Sequence, residues 1–517
     1  MTAYSTHPDD TATRFVTRFE ASPEDWDATP EVIRRGIATL WEENERFRER
    51  LGQTSRNSSK PPSSDRPDTP AREQKPERTE RKAGGQPGHA DTNRPLVPKE
   101  QVTRFVPCRP ACCGQCGHAL VAMDCADAPQ RHQVIELPPL VAEVEEYELF
   151  TATCPECGAT TQAELPVGVP TGGYGPRVTA LVTALTGLYH LSKRAVADLL
   201  GTCCQISISE ASVQRLEQIM SGALKTPWQE AAEAVRAAAH VHLDETGWRQ
   251  QRDADPPPAA RASPSPDEAP LPPNTSTKPD GTLKKAWLWV AVCPLVILFL
   301  LRRSRGAQVV KEILGSDFRG RISSDRWSAY NWFDLLRRQL CWAHLVRDFL
   351  NISERGGIAT RIGEALLEQA THMFALWDRV RDGTLAFAEF QRAMRPIQDT
   401  VGQVLRDGAA TAGPRTATTC QWLVDHEAAL WTFVRVAGIP PTNNLAEQAI
   451  RAAVIWRKLC FGTQTSAGSR YVERVLTVVA TCKRQHRPVL DYLIDVANAT
   501  YAGTTIPSIL PSPAPAG

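Results

Sequence analysis

Apolar positions along this chain recur with two periods, and each period marks a kind of element. Ile33, Ile37, Leu40, Phe47 and Leu51 step by four, three, seven and four, with Asn44 in the skipped position. Residues 30–51 therefore read as one helix with a short heptad seam and a polar register residue. Two readings suit that seam, a self-associating coiled coil and a single packed helix. Val178, Leu181, Val182, Leu185 and Leu188 line one helical face. LSKRAVADLL and SISEASVQRLEQIM follow in helix–turn–helix outline, with Ser209 and Ser212 as a start signal. This segment is either a DNA-reading module or an ordinary helical packing module. After Ala237 the pattern turns to strands. VHLD predicts a buried strand ending at Asp244, and RISSD another ending at Asp325. The longest apolar run, Ala286–Leu301, has 16 residues and contains Pro294. A membrane span needs roughly 18–20, so two buried strands turning at Cys293–Pro294 are expected instead. RGAQVVKEIL predicts a helix, residues 345–436 are helical, and residues 443–498 make two or three further helices.

Between these elements lie stretches with no periodicity. Residues 52–98 are rich in Ser, Pro, Gly and charge, with 11 Lys/Arg against 7 Asp/Glu from Arg56 to Arg104. Such a linker is either plainly solvated or an arm that follows a phosphate backbone. Residues 250–285 read as a Pro-rich disordered loop inserted in a hairpin, and residues 499–517 as a disordered tail. Across 517 residues, 42% hydrophobic and 23% charged content excludes a purely disordered or fibrous chain and implies several domains. The net charge of +1 gives no global argument for a polyanion or a membrane, so that argument must be regional. The first residues show no basic-then-apolar leader, so no signal peptide is expected. In the reducing compartment this implies, the 14 Cys are thiols or metal ligands.

Cysteine spacing changes the picture first. Cys113-x2-Cys116 and Cys154-x2-Cys157 are each followed by Gly, with strand-like runs RHQVIELPPL and VEEYELFTAT between them. A CxxC turn delivers two thiolates from one tight loop, and zinc takes four in a tetrahedron. One structural Zn²⁺ on Cys113, Cys116, Cys154 and Cys157 is expected; the alternative is a set of buried free thiols. Cys108, Cys112 and Cys125 are spare.

Carboxylate positions change it further. Asp244 and Asp325 end buried strands, and Glu447 opens a helix in TNNLAEQAIR. A carboxylate in a buried strand is costly unless it is paired or binds a cation. Two strand-end Asp and a helical Glu can converge on one sheet edge and hold two Mg²⁺ or Mn²⁺ for an in-line phosphoryl displacement. Strand and helix order with Asp, Asp, Glu matches a ribonuclease-H-like core; the alternative makes these turn and capping carboxylates. From Arg451 to Arg487 eight Lys/Arg stand against Glu473 alone, a basic surface suited to a polyanion. Arg451, Arg457 and Lys458 are the candidate DNA contacts there. Arg451 also lies one helical turn from Glu447, where a salt bridge is the alternative. Cys341 and His344 in CWAH read as structural or supporting residues near Asp325, and His344 and Arg347 as further candidate DNA contacts.

Several motifs in order now resemble a known family. They are SRNSSKPPSSD at 55–65, GGQPGH at 84–89, CGQCG at 113–117, CPECG at 154–158, HLDETGW at 242–248, SSDRWSAY at 323–330, CWAHLVRDF at 341–349, NNLAEQAIR at 443–451 and WRK at 456–458. Together they resemble the DDE transposases of the bacterial insertion sequence sixty-six family, over about residues 33–493. The resemblance implies that Asp244, Asp325 and Glu447 are the DDE triad with two divalent ions, and that the helices between Asp325 and Glu447 are an insertion. It implies a multimerising N-terminal helix, a zinc module, and two small accessory proteins of the same element. The 250–285 loop is longer and richer in Pro than the family pattern.

The expected architecture is multidomain α+β: an N-terminal helical segment (1–51), linker (52–98), zinc-binding domain (99–168), helix–turn–helix-like domain (169–236), and ribonuclease-H-like catalytic core (237–498) with a helical insertion at 345–440. The expected function is metal-dependent cleavage at insertion-sequence ends and 3′-OH strand transfer into target DNA, by a cytoplasmic homo-oligomer that uses no membrane. The rivals are a metal-dependent nuclease of the same fold and a decayed DNA-binding protein without turnover.

Overall fold

The computed structural model describes residues 22–52, 95–120, 130–250 and 286–511. Most of the expected linker, the 251–285 loop, Cys125 and the motifs at 55–65 and 84–89 lie outside the described residues. The chain divides into two compact units, one of Met1–Thr69, Val144–Gly201 and Ile206–Gly517, the other of Pro70–Glu143 and Thr202–Gln205.

In the larger unit, α1 (Pro23–Ala28) precedes the heptad helix α2 (Glu31–Gly52). Ile33 and Leu40 of the seam are exposed. A short antiparallel hairpin, β1 (Thr151–Thr153) with β2 (Thr160–Gln162), brackets the second cysteine knuckle. Four helices follow: α3 (Pro176–Gly187), α4 (Lys193–Cys204), α5 (Glu210–Ala223) and α6 (Lys225–Ala237). Ser209 caps α5 by accepting from the Ser212 N–H at 3.1 Å, as the sequence signal predicts. Ala180, Ala184, Met220 and Leu224 of this stretch share a core with the sheet residues Leu288, Val290 and Phe299. The boundary expected at 236 therefore runs through one continuous core.

Five strands form the central sheet: β3 (His240–Trp248), β4 (Ala286–Val292), β5 (Ile297–Arg302), β6 (Arg321–Ser324) and β7 (Arg338–Leu340). Their order is β5-β4-β3-β6-β7. The first three pair antiparallel as a meander, and β3, β6 and β7 run parallel. The sixteen-residue apolar run is β4 and β5, turned by the Cys293 N–H bond to the Val296 carbonyl. No helix of the described residues is long and apolar enough to cross a membrane. Alternation splits β3 between two cores: Val241 and Leu243 face α7 (Ala307–Leu314), and Trp248 faces the layer of α14 (Asn444–Cys460) and α15 (Ser466–Arg484).

Between β7 and α14 lie α8 (Trp342–Ser353), α9 (Ile358–Arg381), α10 (Phe387–Thr411), α11 (Pro414–Asp425), α12 (Glu427–Leu430) and α13 (Thr432–Arg435). They bury their own core around Trp342, Phe349, Phe390, Trp431 and Phe433. This is the expected helical insertion, entered at Trp342. The chain closes with α16 (Val489–Ala502).

Three expectations are corrected. Asp244 lies in the middle of β3, because Gly247 and Trp248 continue the ladder with β4. The run 131–140 makes no strand, since Pro138 and Pro139 remove ladder donors and no partner strand is present among the described residues. The tail is ordered as far as it is described: Ile509 is fully buried, its N–H bonds Glu230 Oε2 at 2.8 Å, and its carbonyl accepts from Gln485 Nε2 at 3.0 Å.

Strand β5 is a sheet edge, paired with β4 on one side only, and three of its N–H groups point away from β4. Helix α15 covers it. Thr481 and Thr477 accept from the Ile297 and Phe299 N–H groups at 3.1 and 2.9 Å, and Glu473 from the Leu301 N–H at 2.5 Å. Acceptors four residues apart on a helix thus match donors two apart on a strand, and the edge is closed to other strands. Thr477→Val should leave the Phe299 N–H unsatisfied and cost about 1–3 kcal/mol. A lower urea midpoint at unchanged slope is the expected result; an unchanged midpoint would show that the bond adds nothing.

Candidate metal-dependent active site

Register brings the two Asp residues together. In the parallel β3–β6 pair His240 lies opposite Arg321 and His242 opposite Ser323. Two residues on, the same register sets Asp244 beside Asp325, on one sheet face. Asp325 follows the last residue of β6, and its Oδ1 accepts from the Trp327 N–H at 2.9 Å. Below it, the fully buried Arg338 donates to the Asp325 carbonyl at 2.8 Å and to Ser324 Oγ at 3.1 Å. Asp244 Oδ1 accepts from the Glu245 N–H at 2.9 Å.

Glu447 sits in the first turn of α14, and both ends of that helix are fastened to β3. At its start Asn443 donates to the Leu243 carbonyl at 2.7 Å, bonds His242 Nδ1 at 3.1 Å, and sends its own N–H to Cys341 Sγ at 3.1 Å. At its end Arg457 donates to the Gly247 carbonyl and to Thr246 Oγ1. Beyond Arg457, Gly462 has φ +110°, and a Cβ there would collide with the Arg249 carbonyl. Thr463 donates its N–H to that carbonyl at 2.9 Å.

Electrostatics reflect the convergence. Burial holds the Asp244 carboxyl well above the usual range, and the charges of Glu245, Asp325 and Glu447 push it the same way. Burial lowers His240 to about 3 and His242 to about 4, so both rings beside Asp244 are neutral at pH 7. Glu447 has positive or protonatable neighbours: His344 Nδ1 at 3.4 Å and Arg347 Nη2 at 3.7 Å. The three sequence-predicted carboxylates thus share one corner, and His344 and Arg347 stand at Glu447 in it.

Sequence reasoning missed the network behind the corner. Glu245 points to the opposite face, where Arg305 meets it at 2.7 Å and the Tyr330 hydroxyl donates to Oε2 at 2.8 Å. Arg305 lies between the rings of Trp287 and Trp327, 4.5 and 3.7 Å from their centroids. Burial, followed by the Asp325 charge, pushes the Glu245 carboxyl up to about 7. A charged residue next to Asp244 in a buried strand was the available signal, since it demands a partner. Asn443 opens the NNLAEQAIR motif, but nothing local in the sequence marks its tie to β3.

The basic stretch is thinner than its charge count. Arg457, Arg474, Arg484 and Arg487 donate to the carbonyls of Gly247, Ser221, Pro294 and Ser508. Arg451, Lys458 and Lys483 are exposed. Arg457 therefore fastens α14, while Arg451 and Lys458 lie on its open side.

Each cysteine knuckle is built alike. Cys113 and Cys154 accept at their carbonyls from Gly117 and Gly158, both at φ +72°. Their thiols are lowered from the ordinary range, chiefly by backbone N–H groups of Cys116 and Cys157. Each turn thus favours the thiolate form that zinc takes.

The carboxylate corner lies on a mixed sheet, beside a set of helices with a core of their own. Comparison with known proteins agrees with the motif resemblance: residues 265–471 match the model of the IS66 transposase family. That span holds Asp325, Cys341, His344 and Glu447, and begins after Asp244. Residues 21–95 match a family of unknown function, DUF6444. An uncharacterized protein of Sinorhizobium fredii (strain NBRC 101917 / NGR234), y4qI, is 27% identical over 253 residues, which are 44% of this chain and 46% of that protein. The chain thus spans about half the length of this curated relative. A solved structure, "Mos1 transposase paired-end complex with left transposon end", aligns at 13% identity over 32% of this chain and 55% of that one, with a TM-score of 0.10 that carries no argument.

Replacing Arg451 and Lys458 together by Ala should weaken DNA binding and reduce the salt slope by about 0.9 for each phosphate no longer neutralised. An unchanged slope in a filter-binding titration would remove both from the interface.

Proposed function

We propose that this chain is a DNA transposase that cuts at the ends of an insertion sequence and joins the freed 3′-OH to target DNA. The observation that carries the reading is the shared corner of Asp244, Asp325 and Glu447, with the family match across two of the three. The sheet order, a three-stranded meander followed by two parallel strands, supports a ribonuclease-H-like core.

The donor set fits hard divalent ions. It is all carboxylate oxygen, and three like charges meet where burial already disfavours the ionised form of Asp244. Asp244, Asp325 and Glu447 would hold two Mg²⁺ or Mn²⁺. When bound, such ions activate the attacking oxygen and stabilise the leaving oxygen of an in-line displacement. The chain's own residues do the positioning. Arg338 and the Trp327 N–H fix the Asp325 turn, and Asn443 fixes the start of α14. Arg451 and Lys458 offer phosphate contacts beside the corner, with His344 and Arg347 at its inner edge. Cleavage and joining are both phosphodiester displacements, so one corner serves both. Exposed seam residues on α2 support a homo-oligomer, and accessory proteins of the same element complete the expected partners.

A reaction of the full chain on labelled element ends, with supercoiled plasmid target and Mg²⁺, tests this. Joined products that vanish with Asp325→Asn are expected. Cleavage without joining would favour the nuclease reading. End binding with neither product, also when accessory proteins are added, would favour the decayed one.

One structural Zn²⁺ on Cys113, Cys116, Cys154 and Cys157 belongs to the same reading, supported by two knuckles of matching geometry. Replacing Cys154 and Cys157 by Ser should release about one zinc per chain. Elemental analysis finding no zinc in the wild-type protein would overturn it.

A further inference from the structure

A second donor set, of different chemistry, meets on Glu447. Among the described residues, the group of His, Cys, Asp or Glu that brings three ligand atoms within 4.8 Å of one another is Cys341, His344 and Glu447. It offers a thiol, an imidazole and a carboxylate, where the Asp244–Asp325–Glu447 corner offers oxygen alone.

Three observations point to an ion here. First, His344 Nδ1 and Glu447 Oε1 stand 3.4 Å apart, yet both atoms are buried and neither has a hydrogen-bond partner. Two ligands at about 2.0–2.1 Å from a tetrahedral ion stand about 3.3–3.4 Å from each other. The pair thus has the spacing of two metal ligands and lacks the geometry of a hydrogen bond. Second, Cys341 is 1% exposed, and its Sγ accepts the Asn443 N–H at 3.1 Å. Burial raises this thiol to about 12, and the Asn443 N–H opposes that rise. Third, the donors are placed in advance. The Cys341 N–H bonds the Ser324 carbonyl at 2.9 Å, the His344 N–H bonds the Cys341 carbonyl at 3.1 Å, and the Trp342 N–H bonds the Pro441 carbonyl at 2.9 Å. The N-cap and first turn of α8, tied to β6 and to the segment before α14, present both CxxH donors to Glu447.

We propose that Cys341, His344 and Glu447 bind one thiophilic divalent cation of the zinc class, leaving a fourth position for water or a substrate oxygen. The Cys341 Sγ proton leaves to solvent as the metal–sulfur bond forms. Sulfur and imidazole select this ion over Mg²⁺, which prefers oxygen. Glu447 belongs to both donor sets, so a zinc-class ion on its Oε1 takes one of the two oxygens the hard ions would use, a consequence that rests on the proposed function.

The test uses the full chain, stripped of metal and titrated with Co²⁺ as a spectroscopic substitute for zinc. Knuckle thiols take cobalt as well, so wild type is compared with Cys341→Ser and His344→Gln. Wild type should bind about one more Co²⁺ per chain than Cys341→Ser, with correspondingly stronger sulfur-to-cobalt absorption. His344→Gln should weaken that extra ion about 100-fold. Equal cobalt content and absorption in all three proteins overturns the site. Should Cys341→Ser fail to fold, His344→Gln decides alone, because position 344 lies at the margin of the core. Cobalt binding is read without DNA, so a failed strand-transfer reaction and a failed site are told apart.

Discussion

The fastening of helix α14 to strand β3 at both ends is the constraint on which the rest depends. Asn443 binds the Leu243 carbonyl at one end, and Arg457 with the Gly462–Thr463 turn grips the Gly247–Arg249 backbone at the other. Between these ties Ala446, Ile450, Ala453 and Trp456 bury an apolar stripe in the core that holds Trp248. The helix can neither slide nor roll without exposing that stripe and orphaning a buried amide. Glu447, one turn in from the first tie, therefore has its place against Asp244 fixed by contacts that are not themselves chemical. A site that must hold geometry to a fraction of an ångström is best built in this way, on rigid elements with locked support.

That rigidity works against charge. Burial and the charges of Glu245, Asp325 and Glu447 hold the Asp244 carboxyl above its usual range. The protein does not neutralise them with a cation of its own in contact with Asp244. Its buried guanidiniums lie elsewhere: Arg338 beneath the Asp325 backbone, Arg305 behind the strand on Glu245. His240 and His242, the rings on the same face, are held neutral. Arg338 and Arg305 thus steady the backbone around Asp325 and Asp244, while Arg347 and His344 stand beside Glu447 itself.

Much of this was legible in the sequence. The period-two runs ending in Asp244 and Asp325, the turn at Cys293–Pro294 and the helical run after Leu345 each carry a local signal, and each forms the expected element. Legibility failed where the deciding contact is distant in sequence. Nothing near Asp244 shows that β4 pairs on past it, so the strand reads as ending there. Glu245 meets Arg305 and Tyr330 only through the folded sheet. The charge count after Arg451 could not tell a solvent-facing Lys458 from an Arg457 whose guanidinium is bound to a strand carbonyl. The tail looked disordered because Pro and Ser dominate it, yet Ile509 finds a buried place and Glu230 a backbone donor. Composition reports how a segment behaves alone, and these segments are not alone.

The helical insertion shows how so large an addition leaves the site undisturbed. Its entry and exit meet: the Trp342 N–H bonds the Pro441 carbonyl, and Cys341 Sγ accepts from Asn443. Six helices therefore leave the sheet and return to it at nearly one point, beside Asp325. Their apolar side chains pack among themselves, around Trp342, Phe390 and Phe433, and meet the sheet at Leu340 of β7. Two bonds tie the far end of this detour, α13, to β7: the Phe433 N–H to Gln339 Oε1 and the Thr432 hydroxyl to the Arg338 carbonyl. Changes within the insertion are then absorbed by its own core, while its neck stays closed. The neck is also where Cys341 and His344 sit. There they face Glu447, so the helical stretch and the carboxylate corner meet at this junction.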